Sequence, residues 1–293
     1  MTQNIIKQFS ATTSTGNIAA ASVYKEVVFN MADTLLEWGE TVNRRSTPGL
    51  DYRFTRQDTT SLPPQKKKSG SKADYSDVEF YDVAGSLETY QTALMFYDEV
   101  KARQIGNIQV TTSVEAAAIG IAQQKDQNIS TAITAGAGQT VAATATWDDP
   151  VSADPAQDLA EAISDIMINT KMPTTMIPEI KVMYPVGLFG FLSKPVQVGE
   201  IQTSVKNFAQ DEWKMSFFPT RQLTTDAYVV VKTDQSAIFI EHDGSSLVPV
   251  EQYREPGVGD GYLFTQAFDT CLFPSAKGGS TNNYICKITD VNA

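Results

Sequence analysis

VTTSVEAAAIGIAQQKDQNISTAIT, residues 110–134, is the longest stretch of the chain that keeps one periodicity without a proline. Apolar side chains recur at Val110, Val114, Ala117 or Ala118, Ile121, Ile129, Ala132 and Ile133. That is the i, i+3, i+4 spacing of an amphipathic helix. Ala116 to Ala118 add helix propensity, and the Gly136-Ala137-Gly138 that follows supplies a stop. At ~1.5 Å per residue the helix is roughly 35 Å long, enough to span one face of a domain.

On the N-terminal side, residues 1–22 are polar, with few large apolar side chains beyond Ile5, Ile6 and Phe9. Such a segment builds no core of its own and reads as an arm. YKEVVFNMADTLLEWGETV, residues 24–42, places Val27, Val28, Met31, Leu35 and Trp38 at helical spacing. Thr47-Pro48-Gly49 ends that element, and DYRFTRQ (51–57) alternates like a half-exposed strand. SLPPQKKKSGSKAD (61–74) cannot be regular structure, and the strand returns over Tyr75–Val83. The simplest account is a two-stranded finger with a basic tip. Because isolated hairpins are marginal in water, it is expected to be held against something else, here another subunit.

Residues 87–104 are ambiguous between a strand through Thr92–Phe96 and a helix from Asp98. On the C-terminal side of the long helix, Thr140–Trp147 suits a strand. Asp154-Pro155, with Gln157 three residues after Asp154, makes a strong helix start whose buried stripe is Leu159, Ala162, Ile163 and Ile166. Short elements follow: strands at Glu179–Met183, Trp213–Phe218, Tyr228–Thr233 and Ala237–Glu241, and a helix from Pro185 to about Ser193. Tyr262–Thr270 and Tyr284–Val291 read as two antiparallel strands. The class is α+β with a mixed sheet.

Composition bounds the function. A chain of 293 residues with 42% hydrophobic side chains is globular, and no apolar run approaches the ~20 residues of a membrane helix. With no signal-peptide pattern, a soluble cytoplasmic protein is expected. Cys271 and Cys286 are too few for a disulfide framework and read as buried free thiols. His242 is the one histidine and reads as a turn residue. There is no HExxH, paired CxxC or GxSxG, so no catalytic, metal or cofactor site is expected. Asp148, Asp149, Asp154, Asp158, Glu161 and Asp165 read as a solvated or interface face, since calcium-loop spacing is missing. Asn128-Ile129-Ser130 is a glycosylation sequon only formally.

The formal charge of −11 is unevenly placed. Between Arg44 and Lys72, eight basic residues (Arg44, Arg45, Arg53, Arg56, Lys66, Lys67, Lys68, Lys72) face two acidic ones, a net +6 that leaves −17 for the remainder. A basic segment on an acidic body points either to nucleic acid or to an acidic surface on another copy. Tyr52 and Phe54 interleave with Arg53 and Arg56 as in a single-strand platform. The lysine triplet is equally a solvated loop tip.

The order of arm, finger, long helix and ATWDDPVSADPAQDLAEAI (145–163) resembles the HK97-type major capsid proteins of tailed bacteriophages and related viruses, archaeal ones included. Asp126 in KDQNISTAI looks like that family's acidic residue near the end of its spine helix. The resemblance implies residues 1–46 as N-terminal arm and short helix, and 47–86 as the E-loop finger. It implies 87–148 as a peripheral domain with the spine, 149–259 as an axial domain, and 260–293 as return strands completing the peripheral sheet. It further implies a homo-oligomeric shell of hexamers and pentamers that encloses DNA without specific binding, assembled in the host cytoplasm with no membrane. Scaffolding, portal or decoration proteins would be its partners. With no charged helical extension ahead of the arm, any scaffold is expected to be separate.

Subunit contacts are expected at Arg44, Arg45, Arg53, Arg56, Lys66, Lys67, Lys68, Lys72, Glu161 and Asp158, and at Gln124, Lys125 and Asp126. Gln123, Gln124, Lys125 and Gln127 are expected to be exposed. Lys66–Lys68 and Asn282 or Asn283 offer the residue types of the family's lysine–asparagine cross-link. An encapsulin-like cargo shell of the same fold and a single-stranded nucleic-acid-binding protein are the alternative readings.

Overall fold

The computed structural model describes residues 17–57, 80–97, 106–149, 151–171, 179–198, 201–243, 251–255 and 258–292. In chain order the elements begin with α1 (Asn17–Thr34), β1 (Asn43–Thr47), β2 (Asp51–Gln57), β3 (Phe80–Ser86), β4 (Glu88–Tyr97), α2 (Gly106–Ala135) and β5 (Ala137–Ala142). Next come α3 (Pro155–Thr170), β6 (Ile180–Pro185), a 3-10 turn (Val186–Leu188), α4 (Phe189–Leu192), β7 (Pro195–Val198), β8 (Ile201–Ser204) and α5 (Val205–Trp213). The chain finishes with β9 (Met215–Thr220), β10 (Ala227–Val231), β11 (Ala237–His242), β12 (Glu251–Glu255), β13 (Gly259–Leu272) and β14 (Asn282–Thr289). No helix among the described residues is long and apolar enough to cross a membrane.

The chain divides into two compact units. The first comprises Met1–Leu50, Leu87–Thr131 and Phe239–Thr270. Its sheet runs β1-β11-β13-β12, and β4 also pairs with β13, antiparallel from Glu88 opposite Phe268 to Tyr97 opposite Gly259. Leu94 and Phe96 of β4, Tyr262 and Phe264 of β13, Val28 and Ala32 of α1, and Val114, Ala117, Ala118 and Ile121 of α2 form one buried cluster. The long periodic stretch is thus a helix of 30 residues, about 45 Å, longer than expected at both ends. Gly136 closes its last turn with an N–H to Ala132 O at 3.0 Å.

The second unit comprises Asp51–Ser86, Ala132–Ile238 and Cys271–Ala293. Its sheet runs β5-β14-β10-β6-β9, with β14/β5 and β6/β9 parallel and β10 antiparallel to both neighbours. β6 and β10 are buried at every residue, which is why AYVVV reads as an unbroken apolar run. Leu159, Ala162, Ile163 and Ile166 of α3 and Val205 and Ala209 of α5 pack with Val182, Val229 and Ile288 of the sheet. Asp154 caps α3, its side chain accepting from Gln157 N at 3.1 Å with Pro155 at the first helical position. The hairpins β2–β3 and β7–β8 also belong to this unit.

Several expectations need correction. The last two long strands do not pair with each other: β13 joins the first unit's sheet and β14 the second's, because β14 finds parallel β5 and antiparallel β10 as partners. The helix expected over 185–193 is a 3-10 turn followed by only four α-helical residues. The segment before β9 is helix α5, capped by Ser204, an element with no counterpart among the sequence expectations. Of the two options for 87–104, the strand forms; a helix from Asp98, like strand residues 75–79, falls outside the described residues.

Candidate assembly surfaces

Where the chain leaves α1 it is fastened to α2. Glu37 and Trp38 donate their backbone N–H groups to the two carboxylate oxygens of Asp126, at 2.9 and 2.8 Å. Trp38 and Asp126 are both buried. Burial pushes the Asp126 carboxyl above its ordinary value, and the two backbone N–H groups oppose that by stabilising the anion. One residue earlier, Lys125 is wholly buried and lies 2.7 Å from Asp33 Oδ1 and 2.6 Å from Glu241 Oε1. Arg44 stands 3.7 Å from the same Asp33 oxygen. Two cations and two carboxylates therefore cancel, which is the condition for burying an ammonium.

The finger's base is β2 paired with β3 in seven antiparallel pairs, Asp51 opposite Ser86 through Gln57 opposite Phe80. Exposure alternates along both strands, so each has one covered face. On the open face, Arg53 pairs with Asp82, which also accepts from Thr55 Oγ1 at 2.7 Å. The hydrogen bond from Arg53, then that from Thr55, holds the Asp82 carboxyl below its usual range. On the covered face, the Arg56 guanidinium lies 3.6 Å above the Phe273 ring, Phe54 meets that ring edge-on at 5.5 Å, and the Tyr81 hydroxyl donates to Pro274 O. Tyr52 lies across Gly85, where a Cβ would come within 2.4 Å of its hydroxyl. This part of the finger packs on its own chain, an anchor with no local signal among residues 51–57.

On α3 the acidic residues separate into different roles. Asp158 is 1% exposed and accepts from Thr144 N, Thr144 Oγ1 and Trp147 Nε1 at 3.0, 2.7 and 2.8 Å. Glu161 is exposed and Asp165 half-buried. Among the described residues no group of three metal-ligating side chains is found.

The arrangement has close relatives in shape. A virus-like particle from Pyrococcus furiosus matches over 90% of this chain and 97% of its own, with a TM-score of 0.64 at 8% identity. The capsid of Ralstonia phage GP4 matches over 85% and 87%, TM-score 0.58, 9% identity. That of Myoviridae phage XM1 matches over 85% and 90%, TM-score 0.56, 10% identity. The fold is that of the HK97-type capsid proteins. No protein-family model matches the sequence, and no curated protein does either.

Seen within the HK97-type fold, the expected contact residues fall into three groups. Arg44, Arg45, Gln124 and Glu161 are exposed, the Arg53 side chain is largely so, and Arg56 is half-buried over Phe273. Lys66, Lys67, Lys68 and Lys72 lie outside the described residues. Lys125, expected to be exposed, is buried because Asp33 and Glu241 neutralise it inside the first unit. Asp126 and Asp158 are buried likewise, their oxygens filled by donors of this chain. Asp33 and Glu241 were missed altogether; the clue was that the apolar stripe of α2 continues through position 125.

Asn282 is also withdrawn from cross-linking chemistry. It is fully buried, its amide donating to Gln235 O, Ser236 O and Phe273 O. His242 ends β11 rather than occupying a turn, buried with Nε2 3.0 Å from Pro48 O. Both cysteines are buried free thiols, and burial pushes Cys286 up to about 12.

Proposed function

We propose that this chain is a major capsid protein, the self-assembling subunit of an icosahedral shell of hexamers and pentamers that encloses viral double-stranded DNA. What carries the reading is the two-way coverage: the chain spans nearly the whole of shell-forming subunits, and they span nearly the whole of it. The role is structural, not catalytic. Residues 1–46 act as the arm, 47–86 as the finger over a neighbour, 87–148 as the peripheral region with its spine, and 149–259 as the axial region. Residues 260–293 return to give one strand to each sheet. Arg44, Arg45, Lys66, Lys67, Lys68 and Lys72 would meet the acidic body of the next copy, with Gln124 and Glu161 among its contacts. Many weak contacts then sum over the shell. Scaffolding, portal or decoration proteins are its partners, and the virion capsid its location.

The test is electron microscopy of the expressed protein, alone and with any co-encoded scaffold. Closed particles are expected; protein that stays monomeric by light scattering under both conditions removes the reading. A second reading, an encapsulin-like shell around protein cargo, draws on the virus-like particle match. Nuclease-protected DNA inside particles purified from the native source supports the capsid, and a packaged enzyme supports the compartment. Single-strand binding is weaker, since Arg53 and Arg56 are engaged by Asp82 and Phe273.

A further inference from the structure

The second unit carries two surface patches of opposite character, and they lie towards opposite edges of its sheet. The first follows β6 in the 3-10 turn and α4. Leu188 and Leu192 are buried, while Val186, Phe189 and Phe191 are left 50%, 50% and 36% exposed. Two cations sit on these rings: Lys194 Nζ is 4.0 Å from the Phe191 centroid and Lys206 Nζ 5.7 Å from that of Phe189. Among the described residues neither lysine has a carboxylate partner. The 3-10 turn packs against β9, one edge strand of the sheet.

The second patch lies on α3, which packs on β14 and on β5, the other edge strand. Glu161, Asp165 and Ile168 follow at i, i+4 and i+7 and so share one stripe. Asn169, beside Ile168, donates to Gln139 Oε1 of β5 at 2.8 Å, which sets the stripe over that edge. Ile168 is 69% exposed, and Val151, just ahead of the helix, is 89% exposed. Glu161 and Asp165 have no cation partner among the described residues.

Large apolar side chains grouped on a surface mark contacts. The Phe189–Phe191 group lies beside Lys194 and Lys206, and Ile168 shares its stripe with Glu161 and Asp165, and among the described residues neither set of charges has a partner of opposite sign. We infer that the Phe189–Phe191 knuckle of one copy docks on the Glu161–Asp165–Ile168 stripe of the next, a head-to-tail contact between second units. The inference rests on the shell reading and names a contact within it. Two different, complementary patches on one subunit give a heterologous interface, which closes into rings when the rotation permits. The aromatic knuckle supplies the buried centre of the contact and the ion pairs fix its register. This also accounts for like charges at i and i+4 on α3, which otherwise cost a little stability.

Gly187 and Gly190 provide a clean test, because a Cβ at either meets nothing within 4 Å in its own chain. The variants are Gly190→Glu, Lys194→Glu with Lys206→Glu, Glu161→Lys with Asp165→Lys, and the last four changes combined. Each is followed by sedimentation velocity and native mass spectrometry, with the melting temperature as control for folding. Gly190→Glu and each charge-reversed pair should lower ring and particle yield at least tenfold at unchanged melting temperature, and the fourfold variant should recover most of it. Assembly of Gly190→Glu or of either pair at wild-type yield overturns the contact while leaving the shell reading standing. So does a fourfold variant that melts normally yet stays as defective as the pairs. A wild-type chain that never assembles overturns both.

Discussion

Replacing Lys125 by methionine keeps the length of the side chain and removes its charge. Asp33 and Glu241 then face each other across an apolar stem with no ammonium between them. Truncating one partner of a fully buried ion pair costs about 3–5 kcal/mol. Here the carboxylates are less confined, with side-chain exposures of 37% and 22%, and each keeps a second donor: Arg44 for Asp33 at 3.7 Å and Gln266 for Glu241 at 3.3 Å. The loss should therefore fall to about 2–3 kcal/mol. At ~2–4 °C per kcal/mol for a chain of this size, the unassembled subunit should melt roughly 4–12 °C lower by circular dichroism. Lys125→Glu, with three carboxylates together, should do worse. Neutralising Asp33 and Glu241 in the Lys125→Met background should recover much of the loss, as coupled residues do. A Lys125→Met subunit that melts within about 1 °C of wild type but no longer assembles would falsify the internal pairing and return Lys125 to the subunit surface.

Asp126 should give the first unit a pH signature. Its folded carboxyl titrates above the ordinary ~3.9, so the folded state holds its proton more tightly than the unfolded one and stability falls as pH rises between those two values. Measured against Asp126→Asn by urea unfolding, wild type should lose ground as pH climbs from about 4 through the raised value and then hold level; a difference that grows with pH contradicts this. At the finger, Arg56→Ala removes the cation over Phe273, worth about 0.5–1 kcal/mol at a half-exposed site, and should speed amide hydrogen exchange in Arg53–Arg56 and Tyr81–Val83 with little change in global melting. Unchanged exchange there would mean the anchor lies elsewhere.

What could be read from the sequence was what local physics dictates. The long helix announced itself by period, β2 by alternation, and the start of α3 by an aspartate, a proline and a glutamine in order. Long-range pairing left no local trace. Nothing near Tyr284 states that β14 will lie beside β5 instead of β13. Lys125 was misjudged because a lysine in an apolar stripe looks like a break in the stripe. Its two carboxylates come from 92 and 116 residues away, and only the fold brings them in. Asp158 was misjudged for the same reason: the indole N–H and the threonine that fill its oxygens lie outside its helix.

The position of β14 in its sheet has a temporal consequence. It separates β5, which ends at Ala142, from β10, which begins at Ala227, and pairs with both. During synthesis, every chain short of residue 289 leaves two strand edges open in the middle of the second sheet, and open edges recruit other chains indiscriminately. Only when the strand slides between them does the second unit become a closed body. A chain that stops short of β14 therefore lacks the strand that joins the β5 edge, over which the α3 stripe lies, to the β10-β6-β9 part, beside which the Phe189–Phe191 knuckle lies.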